Sequence, residues 1–184
     1  MNYQNGTDCV PAELRIATGA AMRDLGRELA ARLRAGDLVI LTGPLGAGKT
    51  TLVQGIGEGL GVRGPVTSPT FVIARVHPAL AGSGPSLVHA DAYRLGSALE
   101  LDDLDLDADT ATSVTVVEWG EGLAEGLAAD RLEITITAAV PPGGVAAAGE
   151  MPVAGDSPRT VAISGVGERW HGIQLPPADL ADRL

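Results

Sequence analysis

The chain has 184 residues, a length that suits one domain with a real core, and its formal net charge of −10 opposes nonspecific binding to nucleic acid or anionic lipid. Apolar residues make up 45% and aromatics only 3%, so that core is built mainly from Ala, Val, Leu and Ile. The single cysteine, Cys9, excludes an internal disulfide, no apolar run approaches the roughly 20 residues of a membrane span, and the polar N-terminus is no signal peptide; the expectation is a cytoplasmic protein that does not touch the membrane.

Residues 1–11 read as a loose leader, and Leu14-Arg15-Ile16 as an edge strand. From Gly19 to Gly36, Met22, Leu25, Leu29 and Leu33 share one face while Arg23, Arg27, Arg32 and Arg34 lie elsewhere, which predicts an amphipathic helix with Thr18 as its N-cap. Asp37 to Thr42 is a short β-rich apolar run of the kind found in buried parallel strands. It leads into Gly43-Pro44-Leu45-Gly46-Ala47-Gly48-Lys49-Thr50, which fits the phosphate-binding pattern G-x-x-x-x-G-K-[ST] at every fixed position. The chemistry needs these residue types. Glycines let backbone N–H groups close around phosphate oxygens, a lysine sets a point charge between the β- and γ-phosphates, and the Thr50 hydroxyl can ligate Mg²⁺. Lys49 is the only lysine in the chain; twelve arginines fill every other basic position. Thr51 to Leu60 then has apolar residues at helical spacing and ends at Gly61, so the loop opens onto a helix N-terminus whose dipole and free N–H groups favour anions.

Pro65 to Thr70 reads as a constrained loop, followed by strands at Phe71–Val76 and Ser86–Ala90 whose short connection allows an antiparallel pair. Further strands are expected at Ser113–Val117, Arg131–Thr137 and Arg159–Ile163. Residues 138–158 are Ala/Gly/Pro-rich and read as a mobile surface loop, and the tail from Trp170 to Leu184 offers no pattern. Two apolar strands end in an acid, at Asp91 and at Glu118. Nucleotide enzymes need a carboxylate at a strand end near the loop to hold Mg²⁺ or its water shell, and spacing leaves open which of the two does so. Within the acidic run from Glu100 to Asp109, a calcium loop started at Asp105 fails with Thr110 at the sixth position and Val116 at the twelfth, so the run reads as a solvated face or a docking surface. His77, His89 and His171 are too scattered for a metal site, and Trp119 has core packing as its default role.

Asn-Lys-x-Asp cannot occur, because no lysine exists outside Lys49, and Leu-Ser-Gly-Gly-Gln is absent; ATP is therefore preferred to GTP, and an ABC-type ATPase is disfavoured. A small-molecule kinase stays as the alternative, although no arginine cluster marks a lid.

Four ordered blocks carry a resemblance: Gly43 to Thr51, Ser68-Pro69-Thr70-Phe71, His89-Ala90-Asp91-Ala92-Tyr93-Arg94-Leu95, and Val117-Glu118-Trp119-Gly120-Glu121. Over about residues 14–137 and at Arg159 the chain resembles the TsaE (YjeE) family, the bacterial ATPases of tRNA threonylcarbamoyladenosine biosynthesis. The resemblance implies a single-domain α/β P-loop NTPase fold with a mixed, mainly parallel sheet flanked by helices. It also implies weak Mg²⁺-dependent ATPase activity and docking onto the TsaB–TsaD pair, with tRNA met only indirectly. Carried over by position, Gly46, Ala47, Gly48, Lys49, Thr50 and Thr51 would hold the phosphates, and Thr50 and Glu118 the Mg²⁺. Asp91 would act near the γ-phosphate, Trp119 would flank the site, and Gly19 and Arg159 would lie by the adenosine. Ala92, Gly120 and the long 138–158 stretch depart from the family pattern, which puts the shape of the C-terminal strand pair in question.

Overall fold

The computed structural model describes residues 12–80, 84–95, 97, 100, 111–138 and 158–175. The leader, most of the acidic run, nearly all of the 138–158 stretch and the end of the tail lie outside these. Among the described residues, seven strands and two α-helices follow in the order β1 (Ala12–Ile16), α1 (Gly19–Ala30), β2 (Leu38–Thr42), α2 (Lys49–Leu60), β3 (Ala74–His77), β4 (Ser86–Asp91), β5 (Ser113–Glu118), β6 (Arg131–Ala138) and β7 (Arg159–Val166). They form one sheet in the order β1-β7-β6-β2-β5-β4-β3. β6, β2, β5 and β4 pair in parallel, while β7 and β3 run against their neighbours, so five of the seven strands point the same way. Among the described residues no helix is long and apolar enough to cross a membrane.

Period-two alternation sorts the central strands between two cores. Val39 and Leu41 of β2 face the larger one with Val114 and Val116, and both α-helices pack there. Leu38, Ile40, Val88 and Val117 face the smaller one, closed in part by Leu123, Leu127 and Ala128 near the single-turn helix Glu125–Leu127. β1 and β3 are the sheet edges, and β6 alternates buried with more open positions as its sequence foretells.

Thr18 caps α1, its hydroxyl accepting from Ala21 N at 3.1 Å, and Met22, Leu25 and Leu29 face the core as the spacing predicts. The helix stops at Ala30, earlier than the predicted Gly36; Arg32 and Leu33 continue as turns that still bury Leu33. α1 and α2 approach until backbone meets backbone. A Cβ added at Gly55 would land on the carbonyl oxygen of Arg23, and one at Gly26 on that of Leu52, so only glycine fits.

Two expectations need correction. β3 begins at Ala74, not Phe71. The carbonyl of Pro69 accepts from Val72 N at 2.8 Å and Ile73 N at 2.7 Å, which closes a turn and leaves Phe71 90% exposed. The tail's first residues are also structured. Trp170 is buried in the larger core beside Leu175, and Arg169 stacks on its ring at 4.3 Å. The Arg169 guanidinium forks onto both Asp37 oxygens at 3.0 and 2.9 Å, tying this segment to the start of β2.

The helix approach gives a direct test. Gly55→Ala should cost about 3 kcal/mol of unfolding free energy through overpacking, whereas Gly126→Ala, which meets nothing within 4 Å, should fall within about 0.5 kcal/mol of wild type. Urea unfolding of both variants checks this, and equal stabilities would contradict the packing described.

Candidate functional site

The C-terminal end of β2 delivers the chain into the glycine loop, and the loop delivers it into α2. The turn is closed by Ala47 N donating to Pro44 O at 3.1 Å, and Gly48 enters the helix at φ 106°, a conformation that favours glycine. From the first residue of α2, Lys49 turns back under the loop. Its Nζ donates to Gly43 O at 2.7 Å and Pro44 O at 3.0 Å, and lies 3.8 Å from the centre of the Trp119 ring. The ammonium is almost fully buried. Burial pushes its pKa below the ordinary lysine value, with the negative charges of Glu118 and Asp91 opposing that shift.

β4 and β5 are parallel neighbours in a register that sets Asp91 opposite Glu118. Both strand-end acids therefore arrive side by side at the edge where the loop begins. Thr50 Oγ1 donates to Glu118 Oε1 at 2.8 Å, which joins the start of α2 to the end of β5. Asp91 accepts from Tyr93 N at 3.0 Å through Oδ1 and from the Thr70 hydroxyl through Oδ2, and the Ser68 and Thr70 hydroxyls bond each other at 2.7 Å. Loop residues 45–51, Ser68, Thr70, Asp91, Glu118 and Trp119 line one cleft of about 240 Å³.

The structure thus brings Gly46, Ala47, Gly48, Lys49, Thr50, Thr51, Asp91, Glu118 and Trp119 to a single cleft. Trp119 departs from its default role in the core. Its backbone N–H donates to Leu41 O at 2.8 Å, its φ of 59° swings the side chain over the loop, and its ring meets Tyr93 at 5.1 Å. Arg159, first in β7, touches the loop from outside the cleft lining, its Nη2 donating to Gly46 O at 3.4 Å. Gly19 opens α1 and does not line the cleft, although Met22, one turn on, packs beneath Gly48.

One residue at the site was not singled out from sequence. His89 is fully buried, and its Nε2 lies 2.8 Å from Glu118 Oε1. A histidine two positions before the strand-end acid, on an otherwise apolar strand, is the signal that could have marked it. Its ring centroid is 6.5 Å from that of His77, whose pKa burial lowers, helped by His89 and Arg75. Among the described residues no group of three or more His, Cys, Asp or Glu side chains could hold a metal, so a cation at Thr50 and Glu118 would take its other ligands from a bound phosphate and water.

A family model described as "Threonylcarbamoyl adenosine biosynthesis protein TsaE" matches residues 16–141. The chain is 61% identical over 150 residues to a Streptomyces coelicolor protein named "tRNA threonylcarbamoyladenosine biosynthesis protein TsaE", spanning 81% of this chain and 93% of the relative. A Bacillus subtilis protein of the same name is 37% identical over 143 residues, spanning 77% and 78%. The crystal structure of Bacillus subtilis YdiB superposes with a TM-score of 0.65 at 28% identity, covering 95% of this chain and 96% of that one.

The burial of Lys49 has a measurable sign. Because the folded state lowers its pKa, the unfolded chain binds the proton more readily in the window below 10.5, and stability rises with pH across that window. Lys49→Met removes this titration. Wild type should therefore gain stability relative to the variant as the pH rises from neutrality toward 10.5, as read by urea unfolding at several pH values. A gap that stays constant would contradict the buried placement.

Proposed function

This chain belongs to the TsaE family and serves tRNA threonylcarbamoyladenosine biosynthesis, and we propose that it does so as a Mg²⁺-dependent ATPase working through the TsaB–TsaD pair. The observation that carries the reading is the Thr50–Glu118 hydrogen bond at 2.8 Å beside Asp91, at the mouth of a lysine-bearing glycine loop. A hydroxyl that donates to a carboxylate keeps a lone pair for a cation, and both groups supply the hard oxygen ligands that Mg²⁺ prefers.

The phosphates of ATP would lie along the N–H groups of Gly46, Ala47, Gly48, Lys49, Thr50 and Thr51. Lys49 now donates to two neutral carbonyls, and a phosphate oxygen would offer it a full negative charge. Thr50 and Glu118 would hold the cation, which when bound neutralises charge on the β- and γ-oxygens. Asp91, oriented through both of its oxygens, would orient the attacking water and receive its proton. Trp119 would flank the nucleotide, with Arg159 and Gly19 on the adenosine side.

The rim supports action through a partner. Leu45, which lines the cleft, Phe71, next in sequence to the cleft residue Thr70, and Tyr93, whose ring meets that of Trp119, are all large and exposed. A protein seated there would bury apolar surface and exclude water from the reaction. The net charge of −10 opposes a phosphate backbone, which fits contact with tRNA only through the complex.

Turnover of ATP by the chain with TsaB and TsaD, with no small-molecule acceptor present, tests this reading against a kinase. Lys49→Ala should abolish that turnover. Asp91→Ala should slow hydrolysis about 10²–10⁴-fold with ATP still bound, whereas Glu118→Ala should weaken binding only when Mg²⁺ is present. A silent Glu118→Ala in both assays would sink the metal assignment. Tight, salt-sensitive tRNA binding by the isolated chain would sink the indirect role.

A further inference from the structure

His89, on β4 between the edge strand β3 and β5, has no exposed surface, which is costly for an imidazole unless its nitrogens find partners. One does. Its Nε2 is 2.8 Å from Glu118 Oε1, and an ionised carboxylate only accepts, so Nε2 carries the proton and donates. Nδ1 is buried with no hydrogen-bond partner, and a proton there would have no acceptor, so the surroundings select the Nε2–H tautomer. Oε1 thus receives two donors, Thr50 from α2 and His89 from β4. Two donors on one oxygen fix both the rotation and the tilt of a carboxylate. Among the described residues none donates to Oε2. Glu118 lines the cleft, where that oxygen is left to serve a ligand.

We propose that His89 is a positioning residue, which holds Oε1 of Glu118 so that the other carboxylate oxygen is presented to the cation that accompanies the nucleotide. The proposal rests on the ATPase reading above and adds to it a buried orienting donor. The role parallels the general use of outer hydrogen bonds to aim a metal's ligands, whose loss weakens metal affinity about 10–100-fold. A histidine that merely filled space would be replaced by an apolar side chain without effect on the cation.

The test measures Mn²⁺ binding to the full-length protein with ADP, by electron paramagnetic resonance, and ADP binding without metal, by calorimetry. His89→Leu should weaken the metal about 10–100-fold and leave metal-free ADP affinity within about twofold of wild type. His89→Gln, whose amide can donate to the same oxygen, should regain most of the loss. A folded His89→Leu protein with wild-type Mn²⁺ affinity would overturn the proposal, and so would a Gln variant no better than the Leu variant. Should the Leu variant fail to fold, ¹⁵N NMR of the wild-type imidazole decides. It should show the Nε2–H form with an Nε2 resonance that moves in Glu118→Ala, and an Nδ1–H form would refute the contact. Wild type that binds ADP with no dependence on Mn²⁺ or Mg²⁺ would instead overturn the ATPase reading, so the two failures are distinct.

Discussion

The register of three adjacent parallel strands is the constraint on which the rest of this molecule depends. β5 sets Glu118 opposite Leu41 of β2 on one side and opposite Asp91 of β4 on the other. Side chains alternate along a strand with period two, so a slip of one residue in either pairing would turn an acid away from the cleft. The same edge of the sheet is where β2 runs into the glycine loop, and where Thr50 reaches across to Glu118. The glycine loop, Thr50 and both acids therefore meet along one line of strand ends, as open parallel sheets generally arrange it. The close packing of α1 on α2 through Gly26 and Gly55 supports this line from one face, since α2 carries both Lys49 and Thr50.

Lys49, Asp91 and Glu118 are buried at this edge, and none of the three is hydrogen-bonded to a lysine, an arginine or a carboxylate of opposite charge. Lys49 rests on carbonyl oxygens, Asp91 on a hydroxyl and a backbone N–H, and Glu118 on a hydroxyl and an imidazole. A direct lysine–carboxylate pair would be hard to open once desolvated, because separating it leaves two uncompensated buried charges. Held instead by neutral dipoles, each group keeps capacity for an incoming ligand of opposite sign. Burial has already lowered the Lys49 pKa, so an anion that replaces the carbonyls restores what the site has withheld from it. On the proposed reading, the phosphates of the nucleotide meet the lysine and the cation meets the acids.

Much of this was legible from residue order. The loop motif, the Thr18 cap, the buried stripe of α1 and the two strand-end acids are local patterns, and local patterns fix local structure. Trp119 was set beside the site by the family resemblance and not by pattern, because its direction comes from a single positive φ at a strand end and not from any periodicity. Trp170 was missed for a related reason: one aromatic after a strand has no partner in sequence to announce which core it fills. His89 meets Glu118 only through the pairing of β4 with β5, and the distance between two strands along the chain says nothing of their register. The start of β3 was misread because Phe71 and Val72 have strand propensity, while the turn on the Pro69 carbonyl decides their conformation.

That turn has a further physical meaning. Ile73 stands at φ 69°, an unfavourable place for a β-branched residue that costs on the order of 1–3 kcal/mol and persists only where surrounding bonds enforce it. The enforcing bonds converge on Asp91: its N–H donates to Ile73 O at 2.8 Å, and its carboxylate accepts from Thr70. Between those anchors the turn carries Phe71 into solvent. The acid proposed to position water is thus also the clamp of a strained turn that bears part of the apolar rim. Any ligand that drew the Asp91 carboxylate away from Thr70 would loosen one of the bonds that hold this turn in its strained form. Coupling of this kind needs no long pathway, because a single side chain belongs to both the cleft and the rim.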